Sequence, residues 1–258
     1  VRILAVIPAR WGSTRLPGKV LADINGKPMV RWIWENCRGA GVFSRVVVAT
    51  DHPEVVRRVE SFGGEAVLTD PAHGSGTERV AEVARTAREP WVVNVQGDEP
   101  FIGGRVLVPL AAALRRRGTE VATPVVPILE GRDLADPSVV KAVVDARGFA
   151  RWFSRWPIPF ARDRWVGEEP LRGAAAEREI PPGTWWRHLG IYAFRRERLL
   201  ELVRLPAAPA EELERLEQLR WLHHGAAIRC VPVEQEGISI DTPADLERAR
   251  RIMGAGPT

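Results

Sequence analysis

The chain has 258 residues, 45% of them hydrophobic, enough to bury a core without disulfides or a structural metal. Cys37 and Cys230 stand in no C-x-x-C or Cys/His pattern, which excludes a disulfide scaffold and the common zinc spacings and points to a reducing compartment. The formal charge of +4 arises from 37 basic residues interspersed with 33 acidic ones, a mixed solvated surface that argues against nucleic acid as a partner.

The opening "VRILAVIPAR" has an apolar run of only six residues and no basic region before it, so no secretory leader is expected. No apolar run approaches the roughly 18 residues of a membrane helix, so a soluble, cytoplasmic protein with no membrane partner is expected. Strands are predicted at 2–7, 45–50, 65–68 and 91–95, near-continuously apolar as buried parallel strands are. Helical spacing of apolar residues falls between them, at 28–40, 53–62, 77–88 and 104–117. This alternation predicts an α/β fold with a mostly parallel sheet and helices on both faces. Further strands are predicted at 120–128, 139–145, 149–154 and 188–194, mostly without long helices between them. The segment 155–187 is rich in Pro, Gly, Arg and Trp. An antiparallel insertion or contact lobe is therefore expected over about 149–194, within a single domain spanning 1–258. Helices at 196–204 and 210–224, a strand at 227–233 and a helix from 243 complete the chain.

The loop after the first strand, "PARWGSTRLPGKVL", holds two glycines, the hydroxyls of Ser13 and Thr14, and the cations Arg10, Arg15 and Lys19. It is neither a G-x-G-x-x-G fingerprint nor a Walker A loop, because five residues separate Gly12 from Gly18 and Val20 follows Lys19. Its amides, hydroxyls and cations suit a chain of phosphates at the carboxyl end of a strand, though the composition fits a solvated surface loop equally well. Asp98 in "NVQGDEP" stands three residues beyond a buried strand, behind a glycine that permits a sharp turn; it reads as a turn or cap residue, or as a charge kept for a ligand. In "DTPADLE", Thr242 and Asp245 form a capping box with Pro243 at the first helical position, so Asp241 is not needed for capping. Asp51 with Glu54, and Ser75 with Glu78, read as capping pairs of their own helices.

These segments, with "INGKPMV", "HGSGTER", "FSRWPIP", "RHLGIYAF" and "LEQLR", resemble the sugar nucleotidylyltransferases collinearly over about residues 2–252. The resemblance is to those members that join CMP from CTP to 3-deoxy-manno-octulosonate (Kdo), an acidic sugar of lipopolysaccharide. It implies a nucleotidyltransferase fold, Rossmann-like and GT-A-like, with a smaller antiparallel lobe through which the family dimerises, and Mg2+ as cofactor. It implies magnesium at Asp98 and Asp241, and a catalytic set completed by Arg10, Arg15 and Lys19. Nucleotide contacts are implied at Ala9, Arg10, Ser13, Lys19, Ser75, Gly76, Arg79 and Gln96. Sugar contacts are implied at Gln96, Arg164, His188, Tyr192, Glu217 and Gln218.

Each sugar residue also has an ordinary reading. His188 and Tyr192 lie four apart on one predicted strand, hence on one face. Glu217 and Gln218 sit beside an apolar stripe of Leu213, Leu216, Leu219 and Leu222, where a solvated face is expected. Trp152, Trp156, Trp165, Trp185 and Trp186 concentrate in the lobe and read as an interface, with a packed core cluster as the alternative. A glycosyltransferase would carry D-x-D after a strand, and Asp98-Glu99-Pro100 does not; a cytidylyltransferase for another acid sugar and a non-catalytic nucleotide-binding regulator are the other readings.

Overall fold

The computed structural model describes residues 1–12, 16–162, 180, 183–234 and 239–254. In chain order its elements are β1 (Ile3–Pro8), β2 (Asp23–Ile24), β3 (Lys27–Pro28), α1 (Met29–Gly39), β4 (Arg45–Thr50), α2 (Pro53–Glu60), β5 (Glu65–Leu68), α3 (Gly76–Thr86) and β6 (Trp91–Asn94). Then follow α4 (Gly104–Ala113), β7 (Val121–Pro127), α5 (Gly131–Ala135), β8 (Lys141–Val144), β9 (Ala150–Ser154), β10 (Trp186–His188) and β11 (Tyr192–Arg195). The last are α6 (Arg196–Leu202), α7 (Pro209–Glu214), α8 (Gln218–His223), β12 (Ile228–Pro232) and α9 (Pro243–Gly254).

The chain divides into two compact units. The first comprises Val1–Ala111, Ile191–Val203 and Gln235–Thr258; the second comprises Ala112–Gly190 and Arg204–Glu234. In the first unit β1 lies between β4 and β6, parallel to both, with Val6 opposite Val47 on one side and Asn94 on the other. Five of the six β1 side chains are buried, which is why its sequence is apolar without alternation. β5 extends the sheet in parallel beside β4, and β11 adds an antiparallel strand beside β6. The flanking helices meet this sheet through apolar stripes at helical spacing: Met29, Val30, Ile33 and Cys37 on α1, and Val80, Val83 and Ala84 on α3. A separate two-stranded ribbon, β2 with β3, lies before α1.

The second unit is chiefly antiparallel. β10 lies between β7 and β8, antiparallel to both, and β9 pairs with β8; β12 alone runs parallel, beside β7. Ile128, Leu134, Val139, Ile180 and Trp185 form a core cluster there, and the Trp185 indole donates to the Pro159 carbonyl at 3.0 Å. Trp185 is thus a packed core residue, whereas Trp152 and Trp156 are exposed. Trp165 lies outside the described residues.

The mixed α/β architecture follows the sequence reading, with two corrections. The strand predicted through 188–194 is two strands, because its ends take different partners: the His188 amide bonds to the Val140 carbonyl, whereas Tyr192 lies opposite Asn94 of β6. The helix predicted over 210–224 breaks at Arg215, which adopts the left-handed region at φ 53°. α7 and α8 stand on either side of that break, and Leu213, assigned above to a core stripe, is exposed as a result. No helix among the described residues is long and apolar enough to cross a membrane.

Candidate functional site

The first unit carries a cleft of about 400 Å3 where β1 and β6 end. Parallel strands expose their terminal carbonyls and the loops that follow them at that edge, the usual place for ligands in such sheets. Beyond β1 the chain stays attached to the neighbouring strand, with the amide of buried Ala9 donating to the Ala49 carbonyl at 2.8 Å. Arg10 then turns outward into the cleft. Gly18, at φ +66°, supplies the left-handed step that starts a short 3-10 turn over Lys19–Leu21 and returns Lys19 to the cleft.

Lys19 joins two carboxylates remote in sequence. Its Nζ donates to Asp98 Oδ2 at 2.8 Å and to Asp241 Oδ1 at 3.1 Å. Burial alone would depress the ammonium pKa, but Asp98 and then Asp241 outweigh it and hold Lys19 above its ordinary value. Gly97 sets the position of Asp98: a Cβ there would come within 2.4 Å of the Pro8 carbonyl oxygen, so only glycine permits the loop after β6 to close against the end of β1. The Ile240 amide donates to the Asp98 carbonyl at 2.9 Å, which brings the segment before α9 alongside. The capping box forms as predicted. Thr242 N donates to Asp245 Oδ2 at 2.8 Å, and Asp245 N donates to Thr242 Oγ1 at 3.2 Å. The Asp241 side chain is thereby left to face Lys19.

The other wall is the turn before α3. Ser75 Oγ accepts from Glu78 N at 3.1 Å, as the capping reading requires, and the Glu78 carboxylate accepts from Gly74 N at 2.7 Å. A Cβ on Gly76 would meet the Pro8 ring at 3.4 Å, so this turn lies flat against the end of β1 and beside Gln96. Arg79 is almost fully buried. It pairs with Asp51 at 3.0 Å and also donates to Thr69 Oγ1.

Asp51 corrects the capping expectation for α2. The cap is His52, whose Nδ1 accepts from Glu54 N at 3.2 Å. Asp51 instead accepts from the Trp11 amide at 2.9 Å while holding Arg79, so it fastens the loop after β1 to the wall formed by α3. His73 was also missed. It lines the cleft with Nε2 against the Glu82 carboxylate, and Glu82 accepts from Asp70 N as well. Nothing local marks either residue, since both are defined by contacts across turns.

The cleft thus gathers Arg10, Lys19, Ser75, Gly76, Arg79, Gln96, Asp98 and Asp241. Ser13, Arg15 and Arg164 lie outside the described residues. Tyr192 is buried in the first unit, opposite Asn94 and stacked on Phe194. His188, Glu217 and Gln218 belong to the second unit. The His188 ring is within 2.9 Å of Thr123 Oγ1 and edge-on to Phe153, and burial pushes its pKa down to about 3, so it is neutral. Because His188 and Tyr192 are on separate strands, the single face predicted for them does not exist. Glu217 is half-buried and Gln218 is buried, contrary to the solvated face expected of them.

Among the described residues no cluster of three or more His, Cys, Asp or Glu is arranged to hold a metal. Two converging carboxylates suffice for Mg2+, which favours one or two protein carboxylates and takes its remaining ligands from water and substrate phosphate. The Lys19 ammonium, between Asp98 and Asp241, already fills the place of a cation there. The donor set therefore fits.

A sequence model described as cytidylyltransferase matches residues 4–228. The 3-deoxy-manno-octulosonate cytidylyltransferase of Trichlorobacter lovleyi is 40% identical over 257 residues, covering 99% of this chain and 100% of that protein. The protein of the same name from Myxococcus xanthus is 44% identical, covering 98% and 97%. Among solved structures, the synthetase of CMP:2-keto-3-deoxy-manno-octonic acid complexed with CTP superposes with a TM-score of 0.89 at 39% identity over the full length of both chains. The 4-diphosphocytidyl-2C-methyl-D-erythritol synthase of Anaerococcus prevotii, at 11% identity and TM-score 0.62 over 98% of each chain, shares the fold alone.

Proposed function

The chain belongs to the cytidylyltransferase family, and from that membership we propose that it transfers CMP from CTP to the anomeric hydroxyl of Kdo, releasing pyrophosphate, with Mg2+ as cofactor. The observation that carries the assignment of roles is the convergence of Asp98 and Asp241 on Lys19 in a cleft walled by a basic loop and a helix start. Kdo activation supplies lipopolysaccharide synthesis.

The reaction is an in-line displacement. The Kdo hydroxyl oxygen bonds to the α-phosphorus, the bond from phosphorus to the bridging oxygen of pyrophosphate breaks, and the hydroxyl proton passes to solvent. Negative charge accumulates on the leaving group, so positioning and electrostatic stabilisation carry the catalysis. Arg10 and Lys19 supply cations to the triphosphate, and by resemblance Arg15 joins them. Ser75, Gly76 and Gln96 line the cleft and by resemblance contact the nucleotide, and Arg79 fixes that wall through Asp51. Asp98 and Asp241 would hold magnesium, which would supply positive charge to neutralise the phosphates. By resemblance alone, Gln96, Arg164, His188, Tyr192, Glu217 and Gln218 are the proposed sugar contacts. Neutral His188 serves there as a hydrogen-bonding group and carries no charge.

The working form is a homodimer, a reading supported by the exposed aromatic side chains Trp152, Trp156 and Phe160. Sedimentation velocity tests this directly, and a monomer at micromolar concentration would refute it. The activity is tested by pyrophosphate release with each nucleoside triphosphate in turn, using Kdo, its amino analogue and sialic acid. Release confined to CTP with Kdo is expected. Release with another sugar would keep the phosphate and metal roles while overturning those of His188, Tyr192, Glu217 and Gln218.

A further inference from the structure

We propose that Glu214 is a positioning residue for sugar recognition: it bolts the turn between α7 and α8, which carries Glu217 and Gln218, to the end of β9. The inference rests on the reading of Glu217 and Gln218 as sugar contacts. It adds a residue that touches neither substrate.

The turn is held by a dense set of bonds within the second unit. Glu214 Oε1 accepts from Ser154 Oγ at 2.6 Å, and Oε2 accepts from the Arg155 amide at 2.8 Å. The Arg155 side chain reaches back, with Nε donating to the Glu214 carbonyl at 2.8 Å and Nη1 donating to the Pro137 carbonyl at 3.0 Å. Ser154 is the last residue of β9 and lies opposite Lys141 of β8 in the sheet register, so the anchor point is rigid. Lys141 is fully buried and feels the Glu214 charge, which gives the carboxylate a second electrostatic tie to β8.

A turn in this conformation needs such an anchor. Arg215, next in sequence, is held in the left-handed region that favours glycine, a strained conformation for a residue with a side chain. The sequence "LERLEQLRW" contains no breaker, so tertiary bonds set the turn: Arg220 donates to the Glu211 carboxylate across it at 2.7 Å, and Glu214 ties it to β9; loosening the latter would let Glu217 and Gln218 shift. The anchored turn instead buries Gln218, whose Nε2 has no hydrogen-bond partner among the described residues. A buried amide donor left unpaired is unfavourable, and an acceptor on the sugar would relieve it on binding. Glu214 thus holds Gln218 where its amide donor, unpaired among the described residues, is left for an acceptor on the sugar.

The test is the steady-state kinetics of Glu214→Gln, Gln218→Ala and the double variant, with Ser154→Ala as a milder break of the same bolt. Glu214→Gln keeps the size of the side chain and removes its charge. Its KM for Kdo should rise about tenfold, with the KM for CTP within about twofold of the parent. Ser154→Ala should move the same constant by less. The double variant should show no more loss than the worse single one, because both changes remove the same contact. A Glu214→Gln enzyme with an unaltered KM for Kdo, beside a Gln218→Ala enzyme in which it rises, would overturn the proposal while leaving the sugar site intact. Equal effects on CTP and Kdo, or fully additive losses, would make Glu214 merely structural and also overturn it. An unaltered KM for Kdo in Gln218→Ala would overturn the sugar-site reading and the proposal with it.

Discussion

Lys19 shows how much a single side chain can settle. Two unit charges about 4 Å apart interact by about 4 kcal/mol at the effective dielectric of a protein surface, so an ammonium seated between Asp98 and Asp241 opposes any other cation there. Lys19→Met should therefore bind Mn2+ in the absence of nucleotide on the order of tenfold more tightly than the parent, as read by Mn2+ electron paramagnetic resonance. The same variant should release pyrophosphate at least about a hundredfold more slowly, since a cation at the triphosphate is lost. Weaker Mn2+ binding would mean that Lys19 supports the carboxylates instead of competing for them. Asp98→Asn should lose about a thousandfold in kcat, and near-normal turnover would remove Asp98 from the mechanism. His188 supplies a pH test. It is neutral in the fold down to about pH 3 but titrates near 6.5 when unfolded, so between those values the unfolded chain binds the extra proton and stability falls as pH is lowered. Its share of that slope is at most about 1.4 kcal/mol per pH unit. Denaturant titrations at pH 5 and pH 7 should show a shallower dependence for His188→Gln, and an unchanged slope would mean that the ring accepts its proton in place.

At the scale of elements, what was legible in the sequence was whatever local pattern dictates. The strands β1, β4, β5 and β6 are short apolar runs with little choice of structure, and the capping boxes at Ser75 and Thr242 are written within four residues. The breaks at 189–191 and at Arg215 were not legible. The first depends on which strand lies across from Tyr192, and the second on a bond from Glu214 to a residue 60 positions away. Asp241 stood out because a carboxylate just outside a completed cap lacks a structural task, whereas Asp98 read also as a turn or cap residue and took its metal role from the resemblance alone. Asp51 was misread because "DHPEV" supplies a cap with or without it, and only the fold brings Arg79 beside it. Gly97 is the element-level counterpart of these contacts. Gly97→Ala places a methyl against the Pro8 carbonyl, so the ends of β1 and β6 must part; a loss of about 2–4 kcal/mol in stability is expected by denaturant melting, with a weaker affinity for CTP. A variant as stable and as active as the parent would show that the loop closes without that contact.

At the scale of the whole molecule, the chain passes between its two units four times, and the first unit is assembled from three separate stretches of sequence. The cleft draws on the first and last of these, with Lys19 and Asp241 222 residues apart. During synthesis the basic loop, the turn before α3 and Asp98 all emerge early, and the sheet around β1 has most of its strands before the second unit exists. The other carboxylate comes only with the final stretch, so Asp241 joins Lys19 and Asp98 last. In a chain that ends before that stretch Lys19 meets Asp98 alone, so the pair of carboxylates around its ammonium is completed only by the last residues to be made.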